Sequence, residues 1–598
     1  MTVLDATLTD GRVVQYVLTD NPPSGGMKKT YFSPDRSCVV QFYHHQSAVH
    51  DPQRLSRLEA ILGKFNPTIT QDKGGSAASQ TSADYFKRLF CWPVGIVIKP
   101  EIGIVAPTYP DSFFFADGPF KGREKEGGWF LGSKTRRLLP ASELGNWKNH
   151  FGLCICMARA VRRLHLAGLA HSDLSSKNVL IDPVHGASVI IDIDSLVVPG
   201  LYPPDVMGSP GYIAPEVLGT QHLPVDDPNR HLPSAVTDQH ALAVLIYQYL
   251  LLRHPLRGPK VHSTASAEED ERLAMGSQAL FIEHPTDPSN QPRDLSLPCA
   301  ILGRELANLV QRAFIDGLHT PHKRPAAAEW ERGLVKTWDM LIPCDNPGCS
   351  HQAFVLWDPH DIRCPFCGTA YPISTLPVLK LRSERRPGQW LADGQIVAFH
   401  NQSLFSWHVF DNIYSGELAD RTPQAYCVFH QGRWLLINQA MDSLTSPGGN
   451  RVPIGSAVEL KDRAKFRLSQ QPHGRIAEVQ LLRIGSSTQV SPASVPAGSP
   501  AAQSSCGTPI THMPPATRFS GLPPAPAAVT LLPAPPPQSP GISRAGRVAE
   551  ASPPLTPHTG SSSTPDYWQE KVKTYATLVI AFGSFTTAIT TLISQCHR

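Results

Sequence analysis

HSDLSSKNVLID (171–182), VIIDID (189–194) and GSPGYIAPE (208–216) follow one another in the middle of this 598-residue chain. Asp173 stands two residues after His171 and five before Asn178. A short apolar run then ends on Asp192 and Asp194, and Ala214-Pro215-Glu216 closes the segment. Carboxylate and amide oxygens are the ligands that Mg²⁺ accepts beside phosphate oxygens. A turn explains any one of these residues taken alone. All three, in this order and at this spacing, point to one site.

The bulk numbers set the frame. The length suggests about four units. Net charge is +4 and the pI is near 8.4, so no global charge argues for a nucleic-acid partner. Charged residues make up 17 % and Pro is 57 of 598, which predicts a non-globular portion. The first residues, MTVLDATLTDGRVVQ, hold no apolar core of a secretory signal. With 12 dispersed cysteines, the expectation is a reducing cytoplasm, with metal rather than disulfides at the closely paired ones.

The 171–216 segment resembles the catalytic loop, metal-binding Asp and activation segment of a protein kinase. That resemblance implies an α+β, bilobal fold over 1–338, with a small lobe to about 109 and a large lobe over 110–338. It implies that Asp173 orients the substrate hydroxyl and accepts its proton, and that Asn178 and Asp192 hold Mg²⁺. Glu216 is expected to pair with Arg324 of KRPAAAEWERG (323–333). Asp238 is expected to brace the catalytic-loop backbone or cap its helix. The departures are specific: Ser172 replaces the usual Arg, Ser175 replaces a basic residue, and Asp194 stands where Gly is usual. Asp194 reads as a second metal ligand or a loop cap.

Ahead of this segment, VVQYVL (13–18), TYFS (30–33), SCVVQFYH (37–44), WPVGIVI (92–98) and GIVAPTY (103–109) read as strands. Gly25-Gly26 would cradle phosphates, or simply turn the chain. The usual third-strand Lys is absent, with Gln41 near its place. Lys28, or its neighbour Lys29, is the candidate cation for the phosphates, and Glu59 of RLSRLEAILGKF (54–65) the candidate helical partner. Ala106–Tyr109, with Thr108 and Tyr109, would face the adenine. WKNHFGLCICMARAVRRLHLAGL (147–169) reads as a helix, and 110–146 has no assignment.

Cys344-x4-Cys349 and Cys364-x2-Cys367 suit tetrahedral Zn²⁺ and resemble a zinc ribbon over 339–373. Residues 374–486 alternate like short strands and resemble a forkhead-associated β-sandwich through SWHV (406–409), GRWLLIN (432–438) and PGGNRVPIG (447–455). Such domains bind phosphothreonine; the usual gripping Arg and Ser are missing, with His400 and Asn401 nearby, so a plain docking module is the alternative. Residues 487–566 read as a disordered Pro/Ser/Ala-rich linker. The segment 567–598 reads as a helix. Its uncharged stretch 575–593 is long enough for a membrane anchor, although a 3–4 apolar stripe also fits a self-associating helix.

The whole arrangement resembles bacterial eukaryotic-like serine/threonine kinases associated with tellurite-resistance-type von Willebrand A proteins and metal-dependent phosphatases. That family implies ATP and Mg²⁺ as cofactors, protein substrates, and a phosphatase and a von Willebrand A-type partner. The rival reading is a pseudokinase scaffold that transfers nothing.

Overall fold

The computed structural model describes residues 2–484 except 25–26, 45–51, 71–76, 199–200, 203, 205–206, 225 and 417–418. Gly25 and Gly26, the linker 487–566 and the terminal segment 567–598 therefore lie outside the described residues.

Six antiparallel strands open the chain: β1 (Thr2–Leu8), β2 (Val13–Leu18), β3 (Lys28–Phe32), β4 (Cys38–Tyr43), β5 (Gly95–Lys99) and β6 (Gly103–Pro107). Their order is β2-β1-β5-β6-β4-β3. β1 carries little apolar signal, since only Ala6 and Leu8 of it are buried. Its pairing with β2, from Thr2↔Leu18 to Thr7↔Val13, makes it a strand. The two sheet ends curl toward each other. Tyr16 on β2 meets Tyr31 on β3 and Phe42 on β4, with ring centroids 5.4 and 5.3 Å apart. β6 lies close against β4 because residue 103 is Gly: a Cβ there would stand 2.1 Å from the Gln41 carbonyl oxygen.

The expected 54–65 helix spans Pro52–Leu62, with Pro in its first turn where a missing N–H costs nothing. It buries Leu58 against Tyr43, Ile96, Ile102 and Ile104. A second helix, Ala77–Leu89, escapes the sequence reading.

The large lobe is built around two helices. Trp147–Leu166 is capped by Asn146, whose side chain accepts from Asn149 N at 2.9 Å, and ends before Gly168 at φ 72°. Ala235–Leu251 is apolar almost all round and correspondingly buried. After the first of these helices come β7 (Val179–Asp182) and β8 (Ala187–Ile190), a hairpin whose register runs from Val179↔Ile190 to Asp182↔Ala187. The unassigned stretch 110–146 is organised by a buried ion pair, Lys125 Nζ to Glu143 Oε2 at 2.8 Å. Glu143 Oε1 also accepts from Ala116 N and Asp117 N.

After the Ala327–Trp338 helix the chain forms β9 (Leu341–Pro343) and β10 (Ala353–Val355), which bring the four cysteines together. Two four-stranded sheets follow. One has the order β12-β11-β18-β17, from β11 (Thr375–Arg386), β12 (Gln389–Val397), β17 (Lys465–Arg467) and β18 (Ile476–Arg483). The other has the order β13-β14-β15-β16, from β13 (Ser403–Leu404), β14 (Ala425–His430), β15 (Arg433–Asn438) and β16 (Ala457–Glu459). SWHV is one helical turn, Ser406–Val409, rather than part of a strand. Trp434 of β15 donates its indole N–H to the Thr375 carbonyl of β11 at 3.1 Å, tying the sheets together. Residues 2–484 fall in a single compact unit, in which one large core runs from Ile61 to Leu482 and the first sheet keeps a smaller core of its own around Ala6, Tyr16, Val40 and Phe42. Among the described residues no helix is long and apolar enough to cross a membrane.

Candidate active site and cysteine cluster

The loop after the Trp147–Leu166 helix is held by its backbone. Asp238, 2 % exposed in the first turn of Ala235–Leu251, accepts from His171 N at 2.7 Å and from Ser172 N at 3.3 Å. These bonds hold Ser172 at φ 66°, a left-handed conformation that few non-glycine residues adopt. His171 is fully buried and its Nε2 donates to the Ile191 carbonyl at 2.9 Å. The loop and the end of β8 are thus joined, and Ile191 N returns a bond to the Asn178 carbonyl at 3.0 Å.

Within that loop Asn178 clasps Asp173. Its amide Nδ2 donates to the Asp173 carbonyl at 2.8 Å and to Asp173 Oδ2 at 2.9 Å. Asp173 Oδ1 has no partner among the described residues. One oxygen is therefore oriented and the other remains an acceptor. Asn178 keeps its own Oδ1 for another ligand.

Asp192 follows β8 at φ 63°, ψ 40°, and Ile193–Ser195 makes a single 3-10 turn. This turn aims both Asp192 and Asp194 at β3. Lys28 Nζ meets Asp192 Oδ1 at 2.5 Å and Asp194 Oδ1 at 2.5 Å. Burial by itself disfavours the Lys28 ammonium; the charges of Asp194 and Asp192 outweigh it and hold Lys28 above its ordinary value. Burial likewise opposes the charge on Asp192, but Lys28 draws its carboxyl below the usual range. Lys28 lies within strand β3 and not in a loop before it, opposite Tyr43 on β4. Tyr43 Oη donates to Asp194 Oδ2 at 2.5 Å.

Glu59 is exposed on the outer face of its helix, so it is not the partner of Lys28. The helix sets Arg57, which is 3 % exposed, inward instead. Asp194 is buried between Lys28 and Tyr43, so it does not act as a loop cap.

Phe113, Leu180 and Val189 form a small buried cluster, with Tyr109 and Cys91 against them. Thr108 N donates to the Ser37 carbonyl at 3.0 Å, and its hydroxyl has no partner among the described residues. Tyr109 Oη donates to Glu124 Oε1 at 3.0 Å. Burial raises the Glu124 carboxyl, and the neighbouring charge of Glu126 adds to this. The sequence reading did not anticipate Tyr43 beside Asp194 or Glu124 beside Tyr109. The Lys28–Tyr43 register of the β3–β4 hairpin was the signal available for Tyr43.

Farther along the chain, Arg324 and Glu216 pair through both arms at 2.7 Å each. Arg324 is 4 % exposed and also donates to the Gly317, Leu318 and Val236 carbonyls.

Cys344, Cys349, Cys364 and Cys367 place their Sγ atoms within 4.8 Å of one another. The separations 3.5 Å (Cys344–Cys367) and 3.9 Å (Cys349–Cys364) match the spacing of about 3.8 Å that tetrahedral Zn–S bonds of ~2.3 Å require. The cluster adjoins the large lobe. Trp147 N donates to the His351 carbonyl at 3.0 Å, and the Phe366 ring lies 4.9 Å from that of Trp147. In the β unit, His400 Nδ1 accepts from Phe429 N at 3.2 Å and Asn401 N donates to the Cys427 carbonyl. Both residues are tied to β14 rather than gathered around a phosphate pocket.

No curated protein matches this chain. A solved kinase domain, the Toxoplasma gondii specific rhoptry antigen kinase domain, is similar at 14 % identity and a TM-score of 0.35, covering 56 % of this chain and 86 % of that one. Residues 147–329 match the family model of the protein kinase domain, so the large lobe described above is that of a protein-kinase-like fold.

Proposed function

We propose that this chain is a serine/threonine protein kinase that transfers the γ-phosphoryl group of Mg-ATP to protein hydroxyls. The observation that carries the reading is the division of labour at Asp173, where Asn178 fixes Oδ2 and Oδ1 stays without a partner. An acceptor oriented in this way positions a hydroxyl and takes its proton as the bond to phosphorus forms. Asn178 Oδ1 and Asp192 are the donors for Mg²⁺, a hard-oxygen set that suits it. When bound, that ion offsets negative charge on the transferring phosphates. Lys28 brings a cation to the same place from β3. The four cysteines hold a structural Zn²⁺ that closes the β9–β10 fold. The chain works in the cytoplasm, where 575–593 tethers it to a membrane and 487–566 gives it reach.

One observation favours the rival scaffold reading: Lys28 already neutralises the metal-binding Asp192. Labelling with [γ-³²P]ATP separates the two. Wild-type protein is expected to label itself or a generic protein substrate, and Asp173→Ala to lower the rate by roughly 10²- to 10⁴-fold. Labelling that survives the substitution, or a protein that binds no nucleotide with Mg²⁺, overturns the kinase reading.

A further inference from the structure

We infer that Asp194 is the residue that positions Lys28 on the nucleotide phosphates, and that it is not a metal ligand. The inference rests on the kinase reading above.

A lysine that must meet phosphate needs an acidic partner. Otherwise its long side chain spreads over many rotamers, and its ordering entropy must be met on binding. The Pro52–Leu62 helix packs beside the site but offers no acid to it. Glu59 faces outward, Arg57 is buried, and the Arg54 guanidinium lies 5.1 Å from the Tyr43 ring centroid. The inner face of this helix is apolar, with Leu58 and Ile61 buried, and carries arginines rather than an acid. The acid comes instead from the turn after β8.

Asp194 is fitted for that task and unfitted for metal. Its side chain is 4 % exposed, and each oxygen has a committed donor, Lys28 Nζ on Oδ1 and Tyr43 Oη on Oδ2, both at 2.5 Å. Tyr43 is anchored from the β4 side and stands opposite Lys28 in register, so one hairpin supplies both donors. Asp192 differs: its side chain is 30 % exposed, and only Oδ1 is engaged by Lys28. Asp192 therefore keeps an oxygen that could take metal, while Asp194 would retain the lysine. Gly, the residue usual at position 194 in the resemblance, could not do this.

Binding measured without metal tests the assignment. Calorimetric titrations of ATP and of adenosine, both in EDTA, isolate phosphate recognition by Lys28 from metal ligation. Asp194→Asn is expected to weaken metal-free ATP by roughly tenfold or more and to leave adenosine unchanged. Lys28→Met should do the same, and the double variant should bind ATP no more weakly than Lys28→Met alone. Tyr43→Phe, which removes one hydroxyl, should give a smaller loss in the same direction and provides the readout if Asp194→Asn does not fold. If wild type binds ATP and Asp194→Asn binds it equally well or better without metal, this inference is overturned and the kinase reading stands. If wild type binds no ATP in EDTA, this inference is overturned; if it also binds none when Mg²⁺ is added, the kinase reading falls with it.

Discussion

Single residues in this chain carry very unequal weight. Arg324 is the clearest case. Its side chain is 1 % exposed, and both guanidinium arms are bonded to Glu216. Removing the carboxylate strands a buried cation. Glu216→Ala is therefore expected to cost about 3–5 kcal/mol, read as a lower urea midpoint with an unchanged slope. A loss under about 1 kcal/mol would mean that the three carbonyls around Arg324 suffice. The pair was legible in sequence because both members sit in recognisable surroundings, APE and RPxxxEW. Asp194 was not. Its neighbours in sequence could not reveal that Lys28, 166 residues away, would arrive at 2.5 Å.

Elements were legible where their pattern is strong and internal. The Trp147–Leu166 helix has a continuous apolar face and an Asn cap, and the reading placed its start at the same residue. β1 and the Ala77–Leu89 helix were missed for the same reason, a weak pattern of their own. β1 is mostly exposed and owes its form to β2; the helix is polar on average and owes its form to the lobe it covers. The 110–146 stretch stayed unassigned because a buried Lys125–Glu143 pair, not periodicity, shapes it. Under the proposed Zn²⁺ assignment the cysteine element would draw its stability from the metal. Chelation, checked by metal analysis, should remove one Zn²⁺ per chain and lower the melting temperature by about 5 °C or more, since Phe366 and His351 rest against Trp147. Cys364→Ser should act in the same way. A protein that contains no zinc and melts unchanged in chelator would refute the assignment.

At the scale of the whole molecule the lobes, cysteine element and β unit interlock. Arg159 of the large lobe joins Glu331 at 2.9 Å and donates to the Ser415 carbonyl of the β unit at 2.5 Å. Asp339 takes Val397 N at 2.9 Å and His408 Nε2 at 3.3 Å. This body also buries imidazoles. Burial lowers His150, His240 and His254, the last to about 4, and the Arg324 charge adds to the effect on His240. Their folded-state values lie below the unfolded value near 6.5, so the unfolded chain binds more protons as pH falls. Stability should be full above about pH 6.5 and decline toward about pH 4. Melts across that window check it, and a flat profile would contradict it. Sequence by itself determined the motif segment 171–216, its two distant supports and the four thiol positions, because each is set by residue type in a recognisable local pattern. Only the tertiary structure decided which acid holds Lys28, which face of the Pro52–Leu62 helix turns inward, and that the later units join the large lobe. Those outcomes depend on side chains far apart in sequence meeting in a low-dielectric interior, where burial and pairing, not local pattern, set the balance.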